Sequence, residues 1–149
     1  MITRSGQIYG LKIAESKLRI VAGQVRFMSK FFLKREVQQL THGAEIFARL
    51  IGKETYVELR DKKKERDYFT FQMTEEAIQE SFPGDEHKIM QGFVEMLTFD
   101  ALIGHNDRHP YNWAVIVPLK KGSSRFSPVY DTARAFFWNV PESRVKQML

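Results

Sequence analysis

From Asp85 onward apolar residues recur at three- and four-residue intervals, at Ile89, Phe93, Met96, Leu97 and Ala101. That spacing lines one face of a helix, capped by Asp85 just after Pro83 and Gly84 and ending near Gly104. The period then changes. Residues 113–117 form a continuous apolar run that ends at Pro118, a polar Lys-Lys-Gly-Ser-Ser turn follows, and a second run from Arg125 leads into Asp131. Two short runs about such a turn predict a β-hairpin, whose open ends would set Asn112 and Asp131 side by side. Residues 17–21 and 24–28 alternate about Ala22 and Gly23, which predicts a second hairpin. Residues 42–51 read as a helix stopped by Gly52, and Thr74, followed by Glu75 and Glu76, reads as another helix start.

Composition narrows the class. The 149 residues are 43% hydrophobic and 28% charged, ordinary for one globular core, and one domain is the expectation. No apolar run is long enough to span a bilayer, and the first ten residues lack the apolar centre of a signal peptide, so a cytoplasmic protein without membrane contact is expected. The absence of cysteine excludes disulfides and thiolate metal sites. A formal charge of +5 raises the question of nucleic acid. The densest basic run, Lys62, Lys63, Lys64 and Arg66, is interleaved with Asp61, Glu65 and Asp67, which reads as a solvated turn; no specific nucleic-acid binding is expected.

The candidate chemistry lies between the expected helix and hairpin. Asp107, Asn112 and Asp131 form an acid, amide, acid series. A magnesium-dependent phosphoryl-transfer site needs one carboxylate to accept or orient the proton of the attacking hydroxyl. It also needs an amide oxygen and a second carboxylate to hold the metal. Hard oxygen ligands suit magnesium. The segment His105, Asn106, Asp107, Arg108, His109 would be steadied by rigid elements on both sides. Two plainer readings exist: a polar helix-to-strand turn, or a metal-dependent hydrolase site built from His105, His109 and Asp107 with His42 or His87. Pro110 prevents a continuous helix through this stretch.

The stretch FDALIGHNDRHPYNWAVI, residues 99–116, together with FSPVYDTAR, residues 126–134, resembles the HipA family of bacterial serine/threonine protein kinases. The Asp-Arg-His opening is also similar to the catalytic loop of phosphatidylinositol kinases. The resemblance implies an α+β, protein-kinase-like fold in one partial domain. Residues 1–33 would supply the end of the N-lobe strands and the hinge, and residues 34–149 the front of the helical C-lobe. It implies Asp107 as the catalytic aspartate and Asn112 and Asp131 as magnesium ligands. Arg108 and His109 would support them, Arg108 by pairing with a carboxylate or phosphate and His109 by fixing the loop through hydrogen bonds. Ser29, Lys30 and Phe31 would meet the adenine of ATP, with Mg2+ as the metal. The reaction would be γ-phosphoryl transfer to a protein serine or threonine, in a toxin-antitoxin setting with an antitoxin as a possible partner. The residues name no protein substrate.

One departure qualifies the resemblance. Gly6 and Gly10 are too sparse for a glycine-rich phosphate loop, and Lys12 falls after the place of the family's phosphate lysine. The chain is therefore expected to be the middle of a kinase, cut at both ends. Alone it is expected to be inactive or nearly so, with a separate N-lobe chain as a further possible partner. The alternative is a non-catalytic nucleotide-binding or scaffold module that retains Asp107, Asn112 and Asp131 as relics.

Overall fold

The computed structural model describes residues 2–64, 68–132, 134–136 and 140–145. In chain order the elements are α1 (Ile2–Ile8), β1 (Ser16–Val21), β2 (Gln24–Ser29), β3 (Gln38–His42), α2 (Gly43–Ile51) and α3 (Lys53–Asp61). They continue with α4 (Phe71–Ser81), α5 (Glu86–Leu102), β4 (Ala114–Pro118), β5 (Arg125–Phe126) and α6 (Glu142–Val145). The fold is α+β. Among the described residues no helix is long and apolar enough to cross a membrane. The chain divides into two compact units, one of Met1–Phe32, Glu95–Arg108 and Pro128–Leu149, the other of Leu33–Val94 and His109–Ser127.

In the first unit β1 and β2 form an antiparallel ribbon with Leu18 opposite Phe27 and Ile20 opposite Val25. The turn residues Ala22 and Gly23 both have positive φ, 49° and 76°, the backbone that matches the twist of a two-residue hairpin. The core of this unit gathers Phe99, Ile103 and Ala135, with Ile2, Leu11 and Ile13 packed against them. A Cβ on Gly6 would stand 1.8 Å from Cδ1 of Ile13, so glycine lets α1 lie this close without displacing the Ile13 side chain. Ile13 bridges Val129 in parallel fashion, with Val129 N–H donating to the Lys12 carbonyl at 2.8 Å and Ala14 N–H to the Val129 carbonyl at 2.9 Å.

The second unit holds a three-stranded antiparallel sheet in the order β3-β4-β5, with Leu40 opposite Ile116 and Val115 opposite Phe126. Rings fill the space beside it. Phe47 stacks on Phe69 at 4.0 Å between centroids, Trp113 stacks on Phe126 at 6.0 Å, and Phe93 meets Trp113 edge-on at 5.0 Å. Large aromatic surfaces removed from water dominate such cores. α2 buries Ala44, Ile46 and Phe47 on the face that meets these rings.

Four details differ from the sequence expectations. The hairpin after Asn112 is real but short: β5 is two residues long, and Val129 leaves it to bridge Ile13, so Asp131 lies beyond the ladder. β3 borders β4 without a local signal, because its partner is some seventy residues away and contributes the alternation only through pairing. Thr70, not Thr74, caps α4: its side chain accepts from Met73 N–H at 3.2 Å, while Thr74 is buried and its hydroxyl donates to the Thr70 carbonyl. In α5, Leu97 and Ala101 face solvent, and the buried stripe runs from Ile89, Phe93 and Met96 to Phe99 and Ile103.

Candidate active site

The last turn of α5 sets up the loop that carries Asp107. Phe99 and Ile103 are buried in the core of the first unit, which fixes the rotation of the helix and turns Asp100, only 4% exposed, inward with them. Gly104 ends the helix at φ 60°, and His105 N–H reaches back to the Asp100 carbonyl at 2.8 Å. The chain then folds so that Arg108 returns to Asp100. Nε donates to Oδ2 and Nη2 to Oδ1, each at 2.7 Å, a two-bond fork between planar groups. Nη1 of the same guanidinium donates to the Tyr130 carbonyl at 2.9 Å.

His105 supplies a second tie. Its Nε2 lies 3.1 Å from the Asp131 carbonyl, and its Nδ1 accepts from Asp107 N–H at 3.5 Å. A carbonyl can only accept, so Nε2 carries the proton and Nδ1 is bare. That assignment fits the charge state: burial first, and then the neighbouring Arg108 cation, push the imidazole below its usual range. With its side chain 1% exposed and 3.8 Å from Asp100, this neutral ring adds no charge to the Asp100–Arg108 pair. Burial pushes the Tyr130 phenol upward, so it stays protonated.

Asp107 and Asp131 thus belong to one unit and one hydrogen-bonded frame. Asp131 adopts a positive φ of 53°, a backbone that Asp tolerates better than most residues with a side chain. The Asp107 carboxylate meets Arg134 Nε at 3.2 Å, with the aspartate largely covered and the arginine half-exposed.

Asn112 and His109 belong to the other unit, where they shape the turn before β4. The Asn112 side chain is buried, and its backbone N–H donates to the His109 carbonyl at 2.8 Å. His109 Nδ1 accepts from Tyr111 N–H at 3.3 Å. The first amides of α2 grip the same turn, Gly43 N–H on the Trp113 carbonyl and Ala44 N–H on the Pro110 carbonyl, both at 3.1 Å. These donors are orphans of a helix start, and the turn satisfies them. Gly43 is required here, since a Cβ would stand 2.3 Å from the Trp113 ring.

The residues expected at the hinge lie at the end of β2 and just beyond it. Ser29 is the last residue of the strand, opposite Ser16, and Lys30 N–H donates to the Glu15 carbonyl at 2.8 Å, which commits that amide to the hairpin. Lys30 Nζ pairs with Glu15 at 3.0 Å on the surface. A cleft of about 290 Å3 opens here, lined by Glu15, Ser16, Lys17, Met28, Ser29 and Lys30. Phe31 is exposed and lies beside Phe32, whose ring is 5.9 Å from that of Tyr130.

A carboxylate and an amide oxygen are hard donors, the kind magnesium takes with water and phosphate completing its shell. The metal-dependent hydrolase alternative fails on geometry. Among the described residues no three His, Asp or Glu side chains gather as a metal site, and His105 Nε2 and His109 Nδ1 are each engaged by a backbone group. Sequence reasoning missed Asp100 and His105 as the residues that hold the loop. A buried acid on the apolar face of a helix was the available signal for the first.

The chain is similar in structure to the Helicobacter pylori proinflammatory kinase CtkA, with a TM-score of 0.73 and 17% sequence identity. The match covers 99% of this chain and 48% of that one, so these 149 residues span about half of the solved kinase. No curated protein matches the chain significantly. The family of the HipA-like C-terminal domain matches residues 2–148, nearly the whole sequence. The chain therefore belongs to the HipA-like C-terminal domain family, and its fold is that of a kinase domain.

Proposed function

We propose that this domain carries the catalytic loop and metal ligands of a magnesium-dependent phosphoryl transfer from ATP to a protein serine or threonine. The observation that carries the reading is the shared frame of the two acids. Arg108 and His105 tie the Asp107 loop to the carbonyls of Tyr130 and Asp131. Asp107 would receive or orient the proton of the attacking hydroxyl, and Asn112 Oδ1 and the Asp131 carboxylate would hold Mg2+. When bound, the ion offsets charge on the transferring phosphoryl group. Ser29, Lys30 and Phe31, beside the cleft at the end of β2, would meet the adenine. The division into N-lobe residues 1–33 and C-lobe residues 34–149, a cytoplasmic setting and an antitoxin partner are parts of the same proposal.

Phosphoryl transfer depends on positioning and charge stabilisation. No glycine-rich loop or phosphate lysine is evident in this sequence. We therefore assign those parts to a segment outside these residues and expect little turnover from this chain alone. The test is phosphorylation of protein by radiolabelled ATP, with the domain alone and joined to such a segment. Incorporation that depends on Mg2+, needs the added segment and disappears in Asp107→Asn supports the reading. Nucleotide binding that is absent in both forms, with and without magnesium, ends it. Binding without transfer would instead favour the non-catalytic nucleotide-binding module, which the lack of a phosphate lysine recommends as the second reading.

A further inference from the structure

Asp100 lies in the last turns of α5, seven residues before Asp107, and its side chain is 6% exposed, as buried as that of its partner Arg108 at 7%. A buried ion pair is a poor way to gain stability, since desolvating both charges offsets most of their attraction. Its value lies in geometry. The guanidinium is a rigid planar fork, so two bonds to one carboxylate also fix where its remaining N–H groups point. Here the third observed bond, from Nη1, ends on the carbonyl of Tyr130, the residue immediately before Asp131. Asp131 is in the left-handed region, a backbone that a side chain disfavours and that persists where its surroundings hold it.

We propose that Asp100 is a positioning residue for Asp131: by fixing the Arg108 fork, it holds the Tyr130 carbonyl and thereby aims the Asp131 carboxylate at its metal. This rests on the reading of Asp131 as a magnesium ligand. Asp100 touches neither substrate nor metal in this role. It acts through one guanidinium, as outer-shell partners of metal ligands commonly do. Arg108→Lys would keep a cation beside Asp100 but could not form two bonds to it while holding the carbonyl.

The test compares wild type with Asp100→Asn and Arg108→Lys, in the protein joined to the segment that confers activity. The first measurement is the carbonyl 13C resonance of Tyr130 without metal, which reports the hydrogen bond directly. The second is the Mg2+ concentration giving half-maximal phosphorylation. Both variants should lose the hydrogen-bonded carbonyl shift and need roughly tenfold to a hundredfold more Mg2+, with less change in rate once metal saturates. A folded Asp100→Asn that keeps the wild-type carbonyl shift and magnesium requirement overturns the proposal. So does a variant that melts lower while its magnesium requirement stays put, because that is a structural role alone. Should Asp100→Asn not fold, Arg108→Lys decides by the same two readings. If wild type shows no magnesium-dependent transfer, the functional reading fails by itself, and the metal-free carbonyl shift still decides whether Asp100 holds the Tyr130 backbone.

Discussion

Among the described residues two antiparallel hairpins meet opposite fates. In β4, Val115 is fully buried, paired with β3 on one side and β5 on the other. In β1 and β2, Leu18 is 69% and Ile20 77% exposed, and Val25 and Phe27 opposite them are exposed as well. A continuous apolar run marks β4 in the sequence, whereas alternation marks β1 and β2. The facing side of β1 and β2 is no better covered, since Lys17, Arg19 and Arg26 lie there among exposed neighbours. A two-stranded ribbon is at best marginally stable in water, whereas a third strand and a layer of rings turn the apolar run of β4 into a core. The pattern specifies which face is apolar, and packing decides whether that face contributes stability.

The largest expected effect lies in the covered sheet. Phe47 is buried between Phe69 and Trp113, so Phe47→Ala should cost about 3–5 kcal/mol, read from urea unfolding. A loss below about 1 kcal/mol would mean that the ring cluster is not the core of its unit. Next comes Gly43→Ala. A methyl placed 2.3 Å from the Trp113 ring must push the turn before β4 off the start of α2, at about 1–3 kcal/mol by the same measurement.

Effects in the bare hairpin should be smaller and partly opposite in sign. Ala22 holds a positive φ that glycine adopts without a steric penalty. Ala22→Gly should therefore stabilise the ribbon by up to about 1 kcal/mol, seen as slower amide exchange in β1 and β2. Faster exchange would show that the turn is not in this conformation in solution.

The polar frame of the first unit should also respond to pH in metal-free protein. His105 is held neutral when folded and takes up a proton near its ordinary value of 6.5 when unfolded. Below that pH the unfolded chain binds the extra proton, so stability should fall as the pH drops from neutrality toward 5. Above pH 7 this group should contribute no slope. His105→Asn should reduce the acid-side loss, and an unchanged profile in that variant would assign the loss to other groups.

The smallest effect is the most direct test of the comparison. Leu18→Thr with Ile20→Thr should change the stability of this chain by no more than about 0.5 kcal/mol, because neither side chain leaves a core. A larger loss in calorimetry would mean that the apolar face of the ribbon is covered in solution.

Local chemistry determined much of what the sequence showed. The helix from Asp85 to Gly104, the stop at Gly52 and the Ala22-Gly23 turn each depend on residues within a few positions, and their boundaries hold to within a residue or two. The stretch around Asp107, Asn112 and Asp131 that resembles the family was legible for the same reason, since it lies in a short span, and the family match covers it. Tertiary structure decided everything that needed a distant partner. β3 becomes a strand only because β4 accepts it, Val129 abandons the hairpin for Ile13, and Thr70 displaces Thr74 as a cap once Thr74 is buried. The same holds for the ties on the loop. Nothing near Asp100 in the sequence marks Arg108 and the Tyr130 carbonyl as the groups at its end, since a guanidinium reaches several ångströms in any direction and burial alone selects one. Periodicity carries no information on such choices because they are made by desolvation and hydrogen-bond geometry after the backbone has folded.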